Sequence, residues 1–185
     1  MGKRLIFLLG GARSGKSAYA EQWARDHGRE VLFVATAQAS DDEMAARIAH
    51  HRATRPDHWA TLEVPLRVGE AILNYGGGYD TLLLDCITLL AANALLTLPE
   101  DCTQEQSDAV ILDEIEGLLR AYAASDATWL IVSNEVGMGI VPMSALGRFY
   151  RDSLGRANQR LARAADEVLL LVAGLPWRLK PANER

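Results

Sequence analysis

Five apolar runs of strand length punctuate the chain, at Leu5–Leu9, Val31–Ala35, Leu82–Leu84, Trp129–Val132 and Val168–Val172. Each is uniformly rich in Leu, Val or Ile and does not alternate with polar residues, as expected of strands buried on both faces. Helical patterns fill the gaps. Ser17–His27 runs up to Gly28, which fits a left-handed stop. A second helix is expected from about Asp41 to Arg52, its Asp41-Asp42-Glu43 start suiting the positive end of a helix dipole. Val68–Tyr75 closes at Gly76-Gly77-Gly78. Gln104–Ala123 sets Ile111, Ile115, Leu118 and Tyr122 on one stripe, and its acids Asp108, Asp113, Glu114 and Glu116 read as a solvated face. A last long helix is expected at about Ser144–Ala165, after Val141-Pro142. Strands alternating with helices predict an α/β fold, a mainly parallel sheet flanked by helices, with ligands at the carboxyl ends of the strands.

The first strand leads directly into Gly10-Gly11-Ala12-Arg13-Ser14-Gly15-Lys16-Ser17, which has the form G-x-x-x-x-G-K-S. Between a buried strand and a helix this sequence is a P-loop. Its glycines let successive backbone N–H groups turn inward on a phosphate, and Lys16 adds a mobile positive charge. The Ser17 hydroxyl suits a magnesium coordination position, and the helix start adds its partial positive charge. The chain is therefore expected to bind a nucleoside triphosphate by its phosphate tail.

Composition narrows the setting. At 185 residues, with 49% hydrophobic and 23% charged residues, one globular domain spanning 1–185 is expected. A net charge of −5 gives no reason to expect nucleic acid or an anionic membrane as partner. Two cysteines, Cys86 and Cys102, form no disulfide framework and suit a reducing cytoplasm. Lys3-Arg4 and the apolar run after it are too short for a signal peptide. Cys86–Leu98 is likewise shorter than the roughly twenty residues of a membrane span.

The strand ends carry the remaining chemistry. Leu82-Leu83-Leu84-Asp85 has the form of the acid-bearing second half of a P-loop site, where the carboxylate supports magnesium. Val34-Ala35-Thr36-Ala37-Gln38 brings Thr36 and Gln38 to the same edge, as nucleotide contacts or as ordinary turn chemistry. Ser133-Asn134-Glu135-Val136-Gly137-Met138-Gly139 forms a tight loop in which Glu135 could serve as base toward a hydroxyl or simply orient its neighbours. It is not the Asn-Lys-x-Asp guanine reader of small GTPases. Three of the four histidines fall in His50-His51-Arg52-Ala53-Thr54-Arg55-Pro56-Asp57-His58. Adjacent histidines on a helix diverge by about 100° and rarely share a metal ion. Glu43, Arg47 and His50 or His51 form one helical stripe, so a carboxylate and a guanidinium could flank a neutral imidazole able to attack phosphorus. Arg47, Arg52 and Arg55 suit phosphate.

In their order along the chain, the P-loop, Ala35-Thr36-Ala37, Asp41-Asp42-Glu43-Met44 with Arg47-Ile48 and His50-His51, Arg55-Pro56, Trp59 and Glu63 make up a set. Asp85-Cys86-Ile87-Thr88, Asn134-Glu135-Val136-Gly137-Met138-Gly139-Ile140-Val141-Pro142 and Gly155-Arg156-x-Asn158-Gln159-x-Leu161 extend it. With these residues the chain closely resembles the bifunctional adenosylcobinamide kinases/adenosylcobinamide-phosphate guanylyltransferases of cobalamin biosynthesis, from the P-loop to about Val172. Leu66–Gly78 and the tail after Gly174 carry no distinctive residues.

The resemblance implies a RecA-like P-loop NTPase core and a two-step reaction. ATP or GTP phosphorylates the hydroxyl of adenosylcobinamide. GTP then donates GMP to adenosylcobinamide phosphate, releasing pyrophosphate. It also implies a histidine–GMP intermediate on His50, and guanine-nucleotide contacts at Gly10–Ser17, Thr36, Ala37, Gln38, His51, Arg52, Ala53, Thr54, Glu63 and Asp85. Magnesium on Ser17 and Asp85, catalytic help from Lys16 and Glu135, and a cytoplasmic homotrimer complete the expectation. A monofunctional P-loop kinase for a small metabolite, with His50 merely structural, is the rival reading. A nucleotide-dependent switch protein is a third.

Overall fold

All five apolar runs become strands, and two further strands join them. The structure is a computed structural model and describes residues 2–38, 42, 45, 46, 49 and 55–181. In chain order the elements are β1 Leu5–Gly10, α1 Lys16–His27, β2 Val31–Ala35, β3 Ala60–Glu63, α2 Val68–Tyr75, β4 Thr81–Asp85, α3 Ile87–Leu95, α4 Gln104–Ala124, β5 Thr128–Val132, α5 Ala145–Ala164, β6 Glu167–Val172 and β7 Leu175–Lys180. Of the helix expected at about Asp41–Arg52, Asp42, Ala45, Ala46 and Ala49 are helical and exposed. Its other residues lie outside those described.

The strands form one sheet in the order β3-β2-β4-β5-β1-β6-β7, with β7 antiparallel to β6 and every other pairing parallel. Both faces are dry, which explains the uniformly apolar runs. Leu5, Phe7, Leu82, Leu84, Trp129 and Ile131 face a cluster shared with α2, α3, α4 and α5. Ile6, Leu8, Phe33, Leu83, Leu130 and Val132 face the other side, where Ala20 and Ala24 of α1 and the ring of Trp59 cover them.

The two unanticipated strands are the sheet's edges. In β3, half-buried Ala60 and Leu62 alternate with exposed Thr61 and Glu63. In β7 almost every residue is exposed, and Pro176 is tolerated because an outer edge has no further ladder to feed. Neither strand has the two buried faces that make a long apolar run.

Two sequence expectations need correction. Gly28 is not left-handed; its φ and ψ are −86° and 143°. The residue is small for another reason. A Cβ there would lie 2.7 Å from the Val31 side chain and 2.9 Å from both the Ala24 carbonyl oxygen and the Thr81 hydroxyl. Nor are the acids of α4 a merely solvated face. Glu114 accepts hydrogen bonds from the backbone N–H groups of Arg67 and Val68, at 2.6 and 3.2 Å, and so caps α2. Asp108 meets Arg156 at 3.2 Å, and Glu116 takes a bidentate pair from Arg160. These contacts fasten α4 to the helices on either side of it.

α2 and α4 also touch backbone to backbone. A Cβ built on Gly69 would fall 2.2 Å from the carbonyl oxygen of Gly117, whereas one on Gly117 meets nothing closer than an Arg120 side-chain nitrogen at 3.7 Å. The two glycines should therefore respond in opposite directions. Gly69→Ala is expected to lower unfolding free energy by about 2–3 kcal/mol through overpacking. Gly117→Ala should leave it unchanged or raise it by up to about 1 kcal/mol, through better helix propensity. Urea denaturation of the two variants checks both signs.

Candidate active site

Register brings three strand ends into line. Leu8 of β1 lies opposite Val132 of β5, and Val132 lies opposite Asp85 of β4. With β5 alone between them, Leu8 and Asp85 are roughly 10 Å apart, two strand spacings, and β1 runs two residues further to Gly10. The loop Gly10–Ser17 leaves one end and Asp85 closes the other, so loop and carboxylate meet at the same edge of the sheet.

Backbone conformation builds the loop. Gly10, Arg13 and Gly15 have φ of 153°, 56° and 96°. Gly15 starts α1 from the left-handed region with no side-chain cap, leaving the first N–H groups of the helix for an anion. The β6–β7 turn packs directly behind the loop. The N–H of Gly174 donates to the Ser14 carbonyl at 2.9 Å, and a Cβ on Gly15 would come within 3.0 Å of Gly174 Cα. The turn just ahead of the tail that offered no distinctive residue thus supplies the wall behind the loop.

Lys16 is 6% exposed, and its ammonium donates to the Gly11 carbonyl at 2.6 Å. Burial lowers its pKa from the ordinary lysine value, while the charge of Asp85 pulls it back up. That opposition puts Asp85 within electrostatic reach of Lys16. Ser17 is half-buried at the start of α1. Among the described residues no cluster of three or more His, Cys, Asp or Glu side chains could hold a metal by itself. The Ser17 hydroxyl and Asp85 carboxylate are hard oxygen donors, and such a pair fits magnesium that arrives on a phosphate.

Other expected residues divide between this edge and its backing. Thr36 is fully buried; its hydroxyl donates to the Cys86 carbonyl at 2.7 Å and accepts from the Cys86 N–H at 3.0 Å. That side chain locks the end of β2 to the end of β4. Ala37 is half-buried, Gln38 is exposed, and Glu63 is exposed at the end of β3, opposite Ala35. Glu135 stands against the P-loop, its N–H donating to the Gly10 carbonyl at 3.0 Å. Its carboxylate accepts from the Gly137 N–H at 2.7 Å. Arg55 stacks on Phe33, 3.4 Å from the ring centroid. His50, His51, Arg52, Ala53, Thr54, Glu43 and Arg47 lie outside the described residues.

Three backing side chains had no role in the sequence reading, although Thr88 and Asn158 stand in its motifs and only Asn93 was unmentioned. Asn158, 5% exposed, accepts from the Ser133 hydroxyl at 2.7 Å and donates to the Asn134 carbonyl at 3.1 Å. Thr88 takes the Asn134 N–H at 2.8 Å, and Asn93 donates to the carbonyls of Thr36 and Pro65. An Asn on the apolar stripe of α5 was the available signal, since a buried amide must find partners. Cys86 packs against the apolar cluster beneath the edge.

Comparison with known proteins places this arrangement. Residues 6–179 match the family model described as cobinamide kinase / cobinamide phosphate guanyltransferase. The chain belongs to that family. It is 45% identical over 181 residues to the bifunctional adenosylcobalamin biosynthesis protein CobU of Salmonella typhimurium, covering 95% of this chain and 99% of that one. The Escherichia coli protein of the same name is 43% identical over the same shares. The bifunctional adenosylcobalamin biosynthesis protein CobP of Pseudomonas aeruginosa is 44% identical, over 94% of this chain and 95% of its own. Family membership accounts for a phosphate loop and an acid-bearing strand end in one sheet.

Two outcomes follow from the geometry. A Cβ on Gly10 would sit 2.5 Å from the Leu171 carbonyl oxygen and 2.6 Å from the Ser14 hydroxyl. Gly10→Ala must therefore shift the loop, and titration calorimetry should show magnesium-ATP binding weakened at least about tenfold. Burial, with the Asp85 charge adding to it, pushes the Cys86 thiol up to about 12. The thiol is thus neutral throughout the neutral range and gains reactivity only as pH rises toward that value. In a Cys102→Ser background, iodoacetamide at pH 8 should label the native chain at least roughly a hundredfold more slowly than the urea-unfolded chain. Equal rates would contradict the raised thiol pKa.

Proposed function

We propose that this chain phosphorylates the hydroxyl of adenosylcobinamide with ATP or GTP, and then transfers GMP from GTP to the resulting phosphate. The observation that carries the reading is the family match along almost the whole chain, in a fold that sets Lys16, Asp85 and Glu135 along one edge. In the kinase step the loop N–H groups and Lys16 hold the β- and γ-phosphates. The acceptor oxygen bonds to the γ-phosphorus, and the bond from that phosphorus to the β-bridging oxygen breaks. Glu135 receives the hydroxyl proton. In the guanylyl step an imidazole nitrogen of His50 bonds to the α-phosphorus of GTP and pyrophosphate departs, with the loop and Lys16 stabilising its growing charge. An oxygen of the acceptor phosphate then displaces the imidazole. Both steps use one grip on the triphosphate.

Ser17 and Asp85 would hold magnesium, which would supply charge neutralisation at the phosphates. Thr36, Ala37, Gln38, His51, Arg52, Ala53, Thr54 and Glu63 contribute to the guanine-nucleotide site. The protein works in the cytoplasm as a homotrimer. Leu175, Trp177 and Leu179, 73%, 66% and 50% exposed along the edge strand β7, favour such assembly.

The test is covalent labelling. With magnesium and GTP carrying label at the α-phosphate, the denatured protein should retain label that is stable to base and labile to acid. His50→Asn should abolish it, and γ-label should not be retained on His50. A monofunctional kinase would turn over ATP with the acceptor and acquire no label, which would overturn the two-step reading.

A further inference from the structure

From the loop after β5 into the first turn of α5 the chain is uncharged, Val136 to Gly147, in a sequence that is 23% charged overall. Its large apolar side chains point into solvent. Met138 is 84% exposed, Ile140 97%, Val141 60% and Met143 99%. A floppy loop could show such exposure incidentally, but this segment is tied at both ends. At its start, Thr88, Asn158 and Gly10 hold Asn134 and Glu135. At its finish, the Arg148 guanidinium donates to the carbonyls of Pro142 and Met143, at 3.1 and 2.7 Å. The ends of the segment are thus held while its apolar side chains are presented outward. Folding does not explain this, since burial of those side chains would have been the more favourable arrangement.

We propose that this loop is the platform for the body of the acceptor, with Met138, Ile140 and Met143 supplying its apolar contact. The proposal rests on the functional reading above and adds to it the residues that select the acceptor. Continuity with the phosphate edge is the first argument. The Glu135 N–H is bonded to the Gly10 carbonyl, so the platform springs from the start of the phosphate loop. An acceptor whose hydroxyl reaches that phosphorus has to extend its bulk over the adjacent surface. The chemistry of the acceptor is the second argument. A corrinoid offers a broad, largely apolar ring fringed with neutral carboxamides, which calls for adaptable apolar contacts and no fixed charges. Methionine provides the adaptability. Exposed Gly137 and Gly139 leave the backbone open to close approach by the fringing amides.

The experiment uses the full chain carrying Met138→Gln, Ile140→Ser and Met143→Gln together. All three sites are exposed, so the melting temperature should stay within about 2 °C of the parent. Adenosylcobinamide binding is measured by equilibrium dialysis, using its visible absorbance, and kinase KM is measured for acceptor and ATP separately. The expected result is acceptor affinity reduced at least about tenfold, with the loss appearing in the acceptor KM and not in kcat. The ATP dissociation constant measured without acceptor should match the parent's. Unchanged acceptor affinity overturns the platform. So does a change of sedimentation state in the variant, which would make a second copy of this chain the occupant. If the parent itself fails to phosphorylate adenosylcobinamide, the functional reading falls, and this distinguishes the two failures.

Discussion

A strand buried on both faces can place polar chemistry only at its ends. That constraint governs this molecule. Leu5–Leu9, Leu82–Leu84 and Trp129–Val132 have apolar neighbours above and below, so functional groups enter the chain where each strand stops. Parallel pairing then brings those stops to one edge, and the shared register of Leu8, Val132 and Asp85 aligns them. A phosphate loop and an acid separated by 67 residues of sequence thereby become neighbours.

The edge needs rigid backing, because a loop that binds with backbone N–H groups is only as accurate as the chain behind it. The backing consists of small polar side chains that satisfy carbonyl and amide groups where the strands end. Thr36 serves Cys86, Asn93 serves Thr36 and Pro65, and Asn158 serves Ser133 and Asn134. Tyr150 donates to the Thr88 carbonyl, and burial raises its pKa, keeping it in the donor form. Each bond contributes only about 1 kcal/mol net, yet an orphaned buried partner would cost about 1–3 kcal/mol. The specificity of the edge lies in that asymmetry.

Legibility from sequence followed the same physics. The P-loop was readable because strand, glycines, lysine and helix are contiguous, and the gathering of the strands' carboxyl ends on one edge follows from the alternation of elements. The edge strands were not readable, since β3 and β7 lack a second buried face. Gly28 looked like a left-handed stop because local sequence cannot see Val31 and Thr81 closing around it. The acids of α4 looked solvated because their partners Arg67, Arg156 and Arg160 belong to other elements. Thr36 was readable as a residue of the edge, but its engagement with Cys86 depends on strand pairing fifty positions away. The histidine segment was legible as chemistry through its clustering with arginines, and His50, His51 and Arg52 in it lie outside the described residues.

The β6–β7 turn, with Ala173 and Gly174 at φ of 52° and 82°, does more than reverse the chain. Gly174 grips Ser14 on one side, while Lys180 at the far end of β7 donates to the carbonyls of Ala162, Arg163 and Ala165 where α5 finishes. The hairpin is therefore a rocker with one foot on the phosphate loop and the other on the helix that anchors Asn134. Tilting it would disturb the cradle and the neighbouring wall in a single movement.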